Sequence, residues 1–446
     1  MRNFHFTTAL LPDGWADDVV IAVEDGVIVD MSVGAPCPPF TDRLAGVAIP
    51  GVANLHSHAH QRAMAGLTQR SGEGADSFWT WREAMYRAVQ AITPDDLQVI
   101  ATHAYVEMLA AGYTHVAEFH YLHHAADGTP YANPAEMSHR LIAAARAAGI
   151  GLTLLPVLYA ASGFDGAPPH AGQRRFASDL DGYAAIRAAL PAAGAGLNFG
   201  IAPHSLRAVP GAVLSEALAA WPDGPVHIHV AEQQREVDEC LAHTGRRPVA
   251  WLLDHAPVNR RWCLVHATHV DADEIQAMAH RDATVGLCPT TEADLGDGVF
   301  PAEAFLAAGG RFGVGSDAQV SASPFEELRL LEWGQRLVTQ RRTVLAGGPG
   351  RSTGRALFDV ACGGGAEACG IAAGRIEIGM RADVVVLSPG LPGDARLDEV
   401  IFAGRGSPVR HVVAGGECII RDGAHRLQSI AAESFRRVVD RLAVAA

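Results

Sequence analysis

Between about residues 50 and 370, short apolar runs alternate with Ala- and Leu-rich stretches at helical spacing. That alternation restricts the fold more than any other feature of the chain. The runs fall at 47–55, 112–119, 150–157, 197–202, 226–230, 262–266, 284–288 and 311–317. Runs without polar alternation suit strands buried on both faces, as in a parallel sheet. Eight of them, repeatedly separated by helices, predict an α/β fold: a (β/α)8 TIM-type barrel over 49–373. An open doubly wound sheet is the competing arrangement. Residues 160–180 carry Gly, Pro and Arg without periodicity and read as an inserted loop. The chain ends read differently. Asp25-Gly26 sits between two apolar runs, a hairpin signal, and 382–387 and 412–420 are also strand-like. The two ends are expected to pair into one small β-sandwich domain, 1–48 plus 374–425. Residues 426–446 have helical spacing with arginines on one side.

Most of the apolar runs deliver a polar residue at or just past the carboxyl end: His56, His58, Glu118, His120, His204, His229, His266 and Asp317. Barrel active sites collect their residues from that edge. His56 and His58 stand at i and i+2, so on a strand both project to one side. Joined by His229 and Asp317 they would give three imidazoles and a carboxylate around one ion, a set that suits Zn2+ and also Fe2+. A catalytic ion of this kind keeps a position for water and lowers that water's pKa towards neutrality. His227 lies two residues before His229 and could face the same way, so the choice between them is open. His60 extends the row beyond the strand. Glu232, three residues after His229, is placed to move a proton from the water. The competing reading is a surface acid opening a helix, where negative charge suits the dipole. His266 can polarise or protonate the reacting group, or can be a core histidine bonded to backbone. Arg82, among aromatics in Ser77-Phe78-Trp79-Thr80-Trp81-Arg82, and Arg207, in His204-Ser205-Leu206-Arg207, could bind the carboxylates of a small dianion. Ordinary surface ion pairing is the alternative.

Composition removes several function classes. The formal charge of −14 over 446 residues leaves no basic surplus for nucleic acid. No stretch is long and apolar enough to span a bilayer, and the first residues do not read as a secretory signal. The chain has no lysine. Schiff-base and P-loop chemistry are therefore excluded, as is a metal pair bridged by a carboxylated lysine. The seven cysteines are scattered with no C-x-x-C pair, which fits reduced thiols in a cytoplasmic protein.

Pro50-Gly51, Asn54-Leu55-His56-Ser57-His58, His229-Val230-Ala231-Glu232, His266 and Gly315-Ser316-Asp317 together resemble the amidohydrolase superfamily, in its mononuclear deaminase branch. The segment 375–383 resembles the turn by which such chains re-enter their β domain. More specific segments are Gln61-Arg62-Ala63-Met64-Ala65-Gly66, Ser77-Phe78-Trp79-Thr80-Trp81-Arg82, Ala117-Glu118-Phe119-His120-Tyr121, 262–269 and 291–298. With them, nearly the whole chain resembles the bacterial formimidoylglutamate deiminases of histidine degradation. That resemblance implies one zinc held by His56, His58, His229 and Asp317. It implies proton handling by Glu232, His266 and Asp317, and substrate carboxylates held by Gln61, Arg82, Tyr121, His204 and Arg207. It also implies a homodimer and hydrolytic deimination of a small dicarboxylate, N-formimidoyl-L-glutamate. One departure stands out: Ala318-Gln319 follows Asp317 where Ser-His is expected, which leaves contacts from that loop open. The rival readings are another deaminase of the superfamily, such as one for purines or pterins, an imidazolonepropionase, and a catalytically silent barrel that binds a partner.

Overall fold

The computed structural model describes residues 1–69, 74, 76–404 and 406–445. The chain begins with four strands, β1 (Arg2–Leu11), β2 (Gly14–Glu24), β3 (Val27–Val33) and β4 (Asp42–Pro50). The expected hairpin is present between β2 and β3. Asp25 and Gly26 both take positive φ, 50° and 80°, as the tight turn with matching strand twist requires.

After Gly51 the chain enters the alternating region. Its strands are β5 (Val52–Ser57), β6 (Tyr113–His120), β7 (Gly151–Leu158), β8 (Leu197–Phe199), β9 (Ala202–Pro203), β10 (Val226–Val230), β11 (Trp262–His266), β12 (Thr284–Leu287) and β13 (Arg311–Val314). β5 to β8 pair in parallel, with β9 beside the end of β7, and β10 to β13 form a second parallel sheet. Single parallel bridges join the two sheets at both seams. Ser57 pairs with Asp317 at one; Ile201 with Val226 and Ser205 with His229 at the other. The strand order is thus cyclic, as the barrel reading anticipates. Every residue of β5, β6, β7, β10, β11 and β12 is buried, which explains the absence of polar alternation in the sequence.

The remaining strands, β14 (Val384–Leu387), β15 (Val409–Ala414), β16 (Glu417–Arg421) and β17 (Ala424–His425), return to the first four. All eight join one mixed sheet in the order β17-β16-β15-β14-β4-β1-β2-β3. The expected sandwich is thus one hydrogen-bonded sheet with no break in its pairing. Its two faces do different work. Phe4, Phe6, Val19, Ile21, Leu44, Ala48, Val384, Val386 and Val413 close a core of the sheet's own. Alternate residues, Ile49, Val385, Leu387 and Val412, pack into the main core with the barrel. The C-terminal helix Gln428–Ala445 lies on the helix Pro94–Ala111, with Phe435 stacked on His103 at 4.3 Å and Arg441 paired with Asp96.

Two local features position the site. The 160–180 insertion is mostly loop, with a single short turn at Ala171–Gln173. It carries Arg175, fully buried, whose guanidinium donates to the carbonyls of His124 and Ile92 at 2.9 Å and also to Val89. A cation there completes the orphan carbonyls at the end of the helix Phe78–Val89 and fixes that helix over the barrel. At the opposite edge, the helix Thr353–Ala368 brings glycines against strand backbone. A Cβ on Gly364 would stand 2.0 Å from the Phe312 carbonyl oxygen, and one on Gly365 2.7 Å from that of Ala53. Gly364→Ala should therefore push this helix off the barrel floor and lower unfolding free energy by about 3 kcal/mol in denaturant titration; an unchanged midpoint would contradict the packing described.

Candidate active site

The first and last staves of the barrel meet through reciprocal backbone bonds. His58 N donates to the Asp317 carbonyl at 3.1 Å, and Asp317 N to that of His56 at 3.0 Å. The Asn54 side chain ties the same seam, donating to Ser316 Oγ (2.6 Å) and accepting from Ser316 N (3.1 Å). The consequence is convergence of three imidazoles and a carboxylate. His56 Nε2 lies 3.2 Å from His58 Nε2 and 3.0 Å from His229 Nε2, and Asp317 Oδ1 lies 3.5 Å and 3.3 Å from the first two. The other nitrogens of two rings are committed. His58 Nδ1 donates to the Phe119 carbonyl (2.8 Å) and His229 Nδ1 to that of His204 (3.0 Å), so each Nε2 turns a lone pair inwards. Burial lowers the pKa of His56 to about 3 and holds His58 and His229 low as well, keeping the rings neutral. Burial alone would raise Asp317, but its close approach to His56, His58 and His266 holds it below the usual carboxylate range. The inward lone pairs of His58 and His229 have nothing to donate to one another, and His56 Nε2 stands in contact with both. That donor set fits a divalent cation. His227 does not join it. Its Nε2 bonds the Ala368 carbonyl at 2.8 Å, on the floor side of the barrel. His60 is buried beside Tyr121 and outside the group.

Glu232 and His266 stand next to the ligand group. His266 Nε2 lies 3.7 Å from both Glu232 Oε1 and Asp317 Oδ2, and its Nδ1 faces Glu292 Oε1 at 3.3 Å. Burial opposes the charged form of His266, but Glu232, Glu292 and Asp317 outweigh it and hold its pKa up at about 10. Burial pushes the Glu232 carboxyl up from its ordinary value, against the pull of His266 and Arg207. Glu232 therefore lies in the interior and is no surface helix acid. The buried Glu236 side chain accepts from Ala231 N (3.1 Å) and Glu232 N (3.3 Å) and fixes this turn. Ala231, His266 and Asp317 all take positive φ, 52°, 67° and 42°. A left-handed conformation costs a residue with a Cβ roughly 1–2 kcal/mol, and here it aims strand-end side chains at one point.

Above this floor lies a cavity of about 290 Å3. Gln61, Arg82, Tyr121, His204 and Arg207 all line it, together with Trp79, Tyr86, Tyr159, Gln173, Arg235 and Glu239. Gln61 donates to the Tyr121 hydroxyl at 2.7 Å, leaving its own buried Oε1 without a partner. Arg207 reaches Glu232 and Glu236 at 3.7 and 3.6 Å. Arg82 makes no ion pair among the described residues, and its Nε is buried without a hydrogen-bond partner. Its guanidinium instead lies 4.6 Å from the Trp79 ring and 5.6 Å from that of Tyr86. Further residues support the site from outside the proposed ligand and substrate-binding set. Gln173 bridges the Tyr159 (2.8 Å) and Tyr86 (3.3 Å) hydroxyls from the insertion. Gln319, in the loop that departs from the family pattern, is buried and donates to Ser57 Oγ and the Asp317 carbonyl, both at 3.0 Å. It braces the two ligand-bearing loops from behind. Glu118 does the same on the other side, accepting from Ser57 Oγ and Ala59 N at 2.6 Å.

Comparison with known proteins adds to this geometry. Residues 47–419 match the model of the amidohydrolase family, and residues 1–43 match that of the formimidoylglutamate deiminase HutF N-terminal domain. A formimidoylglutamate deiminase of Pseudomonas aeruginosa is 50% identical over 444 residues, covering 97% of this chain and 98% of its own. A 5-methylthioadenosine/S-adenosylhomocysteine deaminase of Natronomonas pharaonis is 27% identical, over 95% of this chain and 92% of its own. Among solved structures, an amidohydrolase from Brucella melitensis matches with a TM-score of 0.94 and 49% identity over 99% of this chain and 100% of that one. An adenosine deaminase from Xanthomonas campestris, solved with bound zinc, matches with a TM-score of 0.80 at 22% identity, covering 99% and 98%, which speaks to the fold alone. A TIM-type barrel with a sheet domain built from both termini is the fold these matches imply, and the sheets described above agree with it. With a family model matching most of its length and a half-identical relative spanning nearly all of it, the chain belongs to the amidohydrolase family.

Proposed function

We propose that the protein is a hydrolase of C–N bonds that deiminates N-formimidoyl-L-glutamate to N-formyl-L-glutamate and ammonia. The half-identical deiminase of Pseudomonas aeruginosa and the matching N-terminal domain model support the activity. The observation that carries it to the substrate is the polarity of the cavity. Glu232 and Asp317 lie at its floor, and Arg82 and Arg207 lie in its wall, Arg82 without a carboxylate partner among the described residues. That distribution complements a molecule with a cationic amidine at one end and two carboxylates at the other. Purine and pterin deaminases, and the ring opening of an imidazolonepropionase, have less use for two such arginines. A silent binding protein has no use for the proton-handling residues.

His56, His58, His229 and Asp317 are the proposed ligands of one divalent ion per chain, and their imidazole-rich set favours zinc. When bound, such an ion polarises a water and lowers its pKa. The chain's own residues do the rest. Arg82 and Arg207 hold the carboxylates, with Gln61, Tyr121 and His204 lining the same wall. Fixing the substrate this way sets the formimidoyl carbon above the floor and removes an entropic part of the barrier. Glu232 accepts a proton from the attacking water and delivers it to the terminal amidine nitrogen. His266, held in place by Glu292, stabilises the tetrahedral centre, and Asp317 shares in the proton transfers. A C–O bond forms, the C–N bond to the terminal nitrogen breaks, and ammonia leaves. The activity belongs with histidine breakdown in the cytoplasm, and the family resemblance supports a homodimer. Among the described residues no helix is long and apolar enough to cross a membrane.

Two variants test the assignment by ammonia release from N-formimidoyl-L-glutamate. Glu232→Gln should lower kcat by about 100- to 10,000-fold with bound metal unchanged; retained activity would remove Glu232 from proton transfer. Arg82→Met should lower kcat/KM roughly 10- to 100-fold, again with normal metal content. Loss of the metal from that variant would assign Arg82 to structure instead.

A further inference from the structure

The cavity mouth carries a third guanidinium that neither the sequence motifs nor the mechanism above uses. Arg235 opens the helix Gln234–Thr244, and its Cζ lies 4.3 Å from the centre of the Trp79 ring. Arg82 and Arg207 lie 4.6 and 5.7 Å from the same ring. One indole therefore gathers three cations along the way from solvent to floor. They differ in what else they touch. Arg207 is buried against Glu232 and Glu236, whereas Arg235 is 61% exposed and pairs with Glu239 at 2.6 Å, itself 40% exposed. An exposed i,i+4 pair of this kind is weak and screened by salt, so Arg235 can exchange Glu239 for another carboxylate at little cost.

The whole protein carries a formal charge of −14 and repels anions at long range. Within about 10 Å, the screening length at about 0.1 M salt, the charges at the mouth decide. We propose that Arg235, stacked on Trp79, is an entry residue. It captures a carboxylate of the incoming dicarboxylate in exchange for Glu239 and passes the substrate inwards to Arg82 and Arg207. Arg235 then sets specificity for anionic substrates through kcat/KM, without taking part in bond breaking. The inference rests on the dicarboxylate reading of the cavity.

Steady-state kinetics on metal-loaded protein at about 20 mM and about 0.5 M salt tests it. Arg235→Gln should lower kcat/KM roughly 3- to 10-fold at low salt through KM, with kcat within about 2-fold, and the gap from wild type should close at high salt. Arg235→Lys should keep most of the low-salt rate. Glu239→Gln should raise kcat/KM at low salt by freeing the guanidinium. Arg246→Gln, the same charge change at an exposed arginine paired with Asp254 outside the cavity lining, should match wild type. Equal kcat/KM for Arg235→Gln and wild type at low salt, or an equal loss in Arg246→Gln, would overturn the proposal. Absence of turnover in the wild type would overturn the dicarboxylate reading itself, and so separates the two.

Discussion

The paired backbone bonds between the His56–His58 segment and Asp317 are the interaction on which the rest depends. They join the first stave of the barrel to the last, so the same two hydrogen bonds close a seam of the fold and set the distance between metal-ligand candidates. Asn54 with Ser316 and Gln319 with Ser57 lock that seam from below and beside it. The outer nitrogens of the buried His58 and His229 imidazoles are satisfied by carbonyls of neighbouring strand ends, which orients both rings across it. Stability and chemistry are thus coupled. The geometry that gathers the donors is also what holds Asp317 and His266 in left-handed conformations that isolated residues disfavour.

Charge is sorted along one axis of the cavity. Carboxylates gather near the floor, where His266 balances them, and guanidiniums gather around Trp79 towards the mouth. Arg207 and Arg235 each reach an acid, whereas Trp79 and Tyr86 hold the third guanidinium apart. Arg82 is held by π faces and, among the described residues, pairs with no acid, so its donors face the cavity. Arg175 contributes at one remove, by capping the helix that presents Arg82 and Trp79.

The barrel was legible because strands buried on both faces write unbroken apolar runs, and because its chemistry collects at one end of those runs. The proposed ligand histidines sit at those ends. The choice between His227 and His229 was not legible there. Both obey the i,i+2 period of β10, and only the neighbouring helix, through the Ala368 carbonyl, holds His227 at the barrel base, outside the cavity lining. Gly364 and Gly365 would be read as helix breakers, yet their lack of side chains is what lets a helix seal the barrel base. The chain ends announced strands but not their arrangement, since one continuous sheet and two stacked sheets leave the same alternation. Gln173 and Arg235 carry no local signal, and Gln319 shows only as a departure after Asp317. Their roles exist only because distant segments deliver hydroxyls, ligand loops or an indole to them.

The central claim is that the floor of this cavity breaks one particular C–N bond of a bound dicarboxylate amidine. Incubating the protein loaded with one zinc per chain with N-formimidoyl-L-glutamate, and identifying the products by NMR, tests it most directly. The account predicts N-formyl-L-glutamate with one ammonia per turnover. L-glutamate with formamide, or unreacted substrate at full metal occupancy, would contradict it.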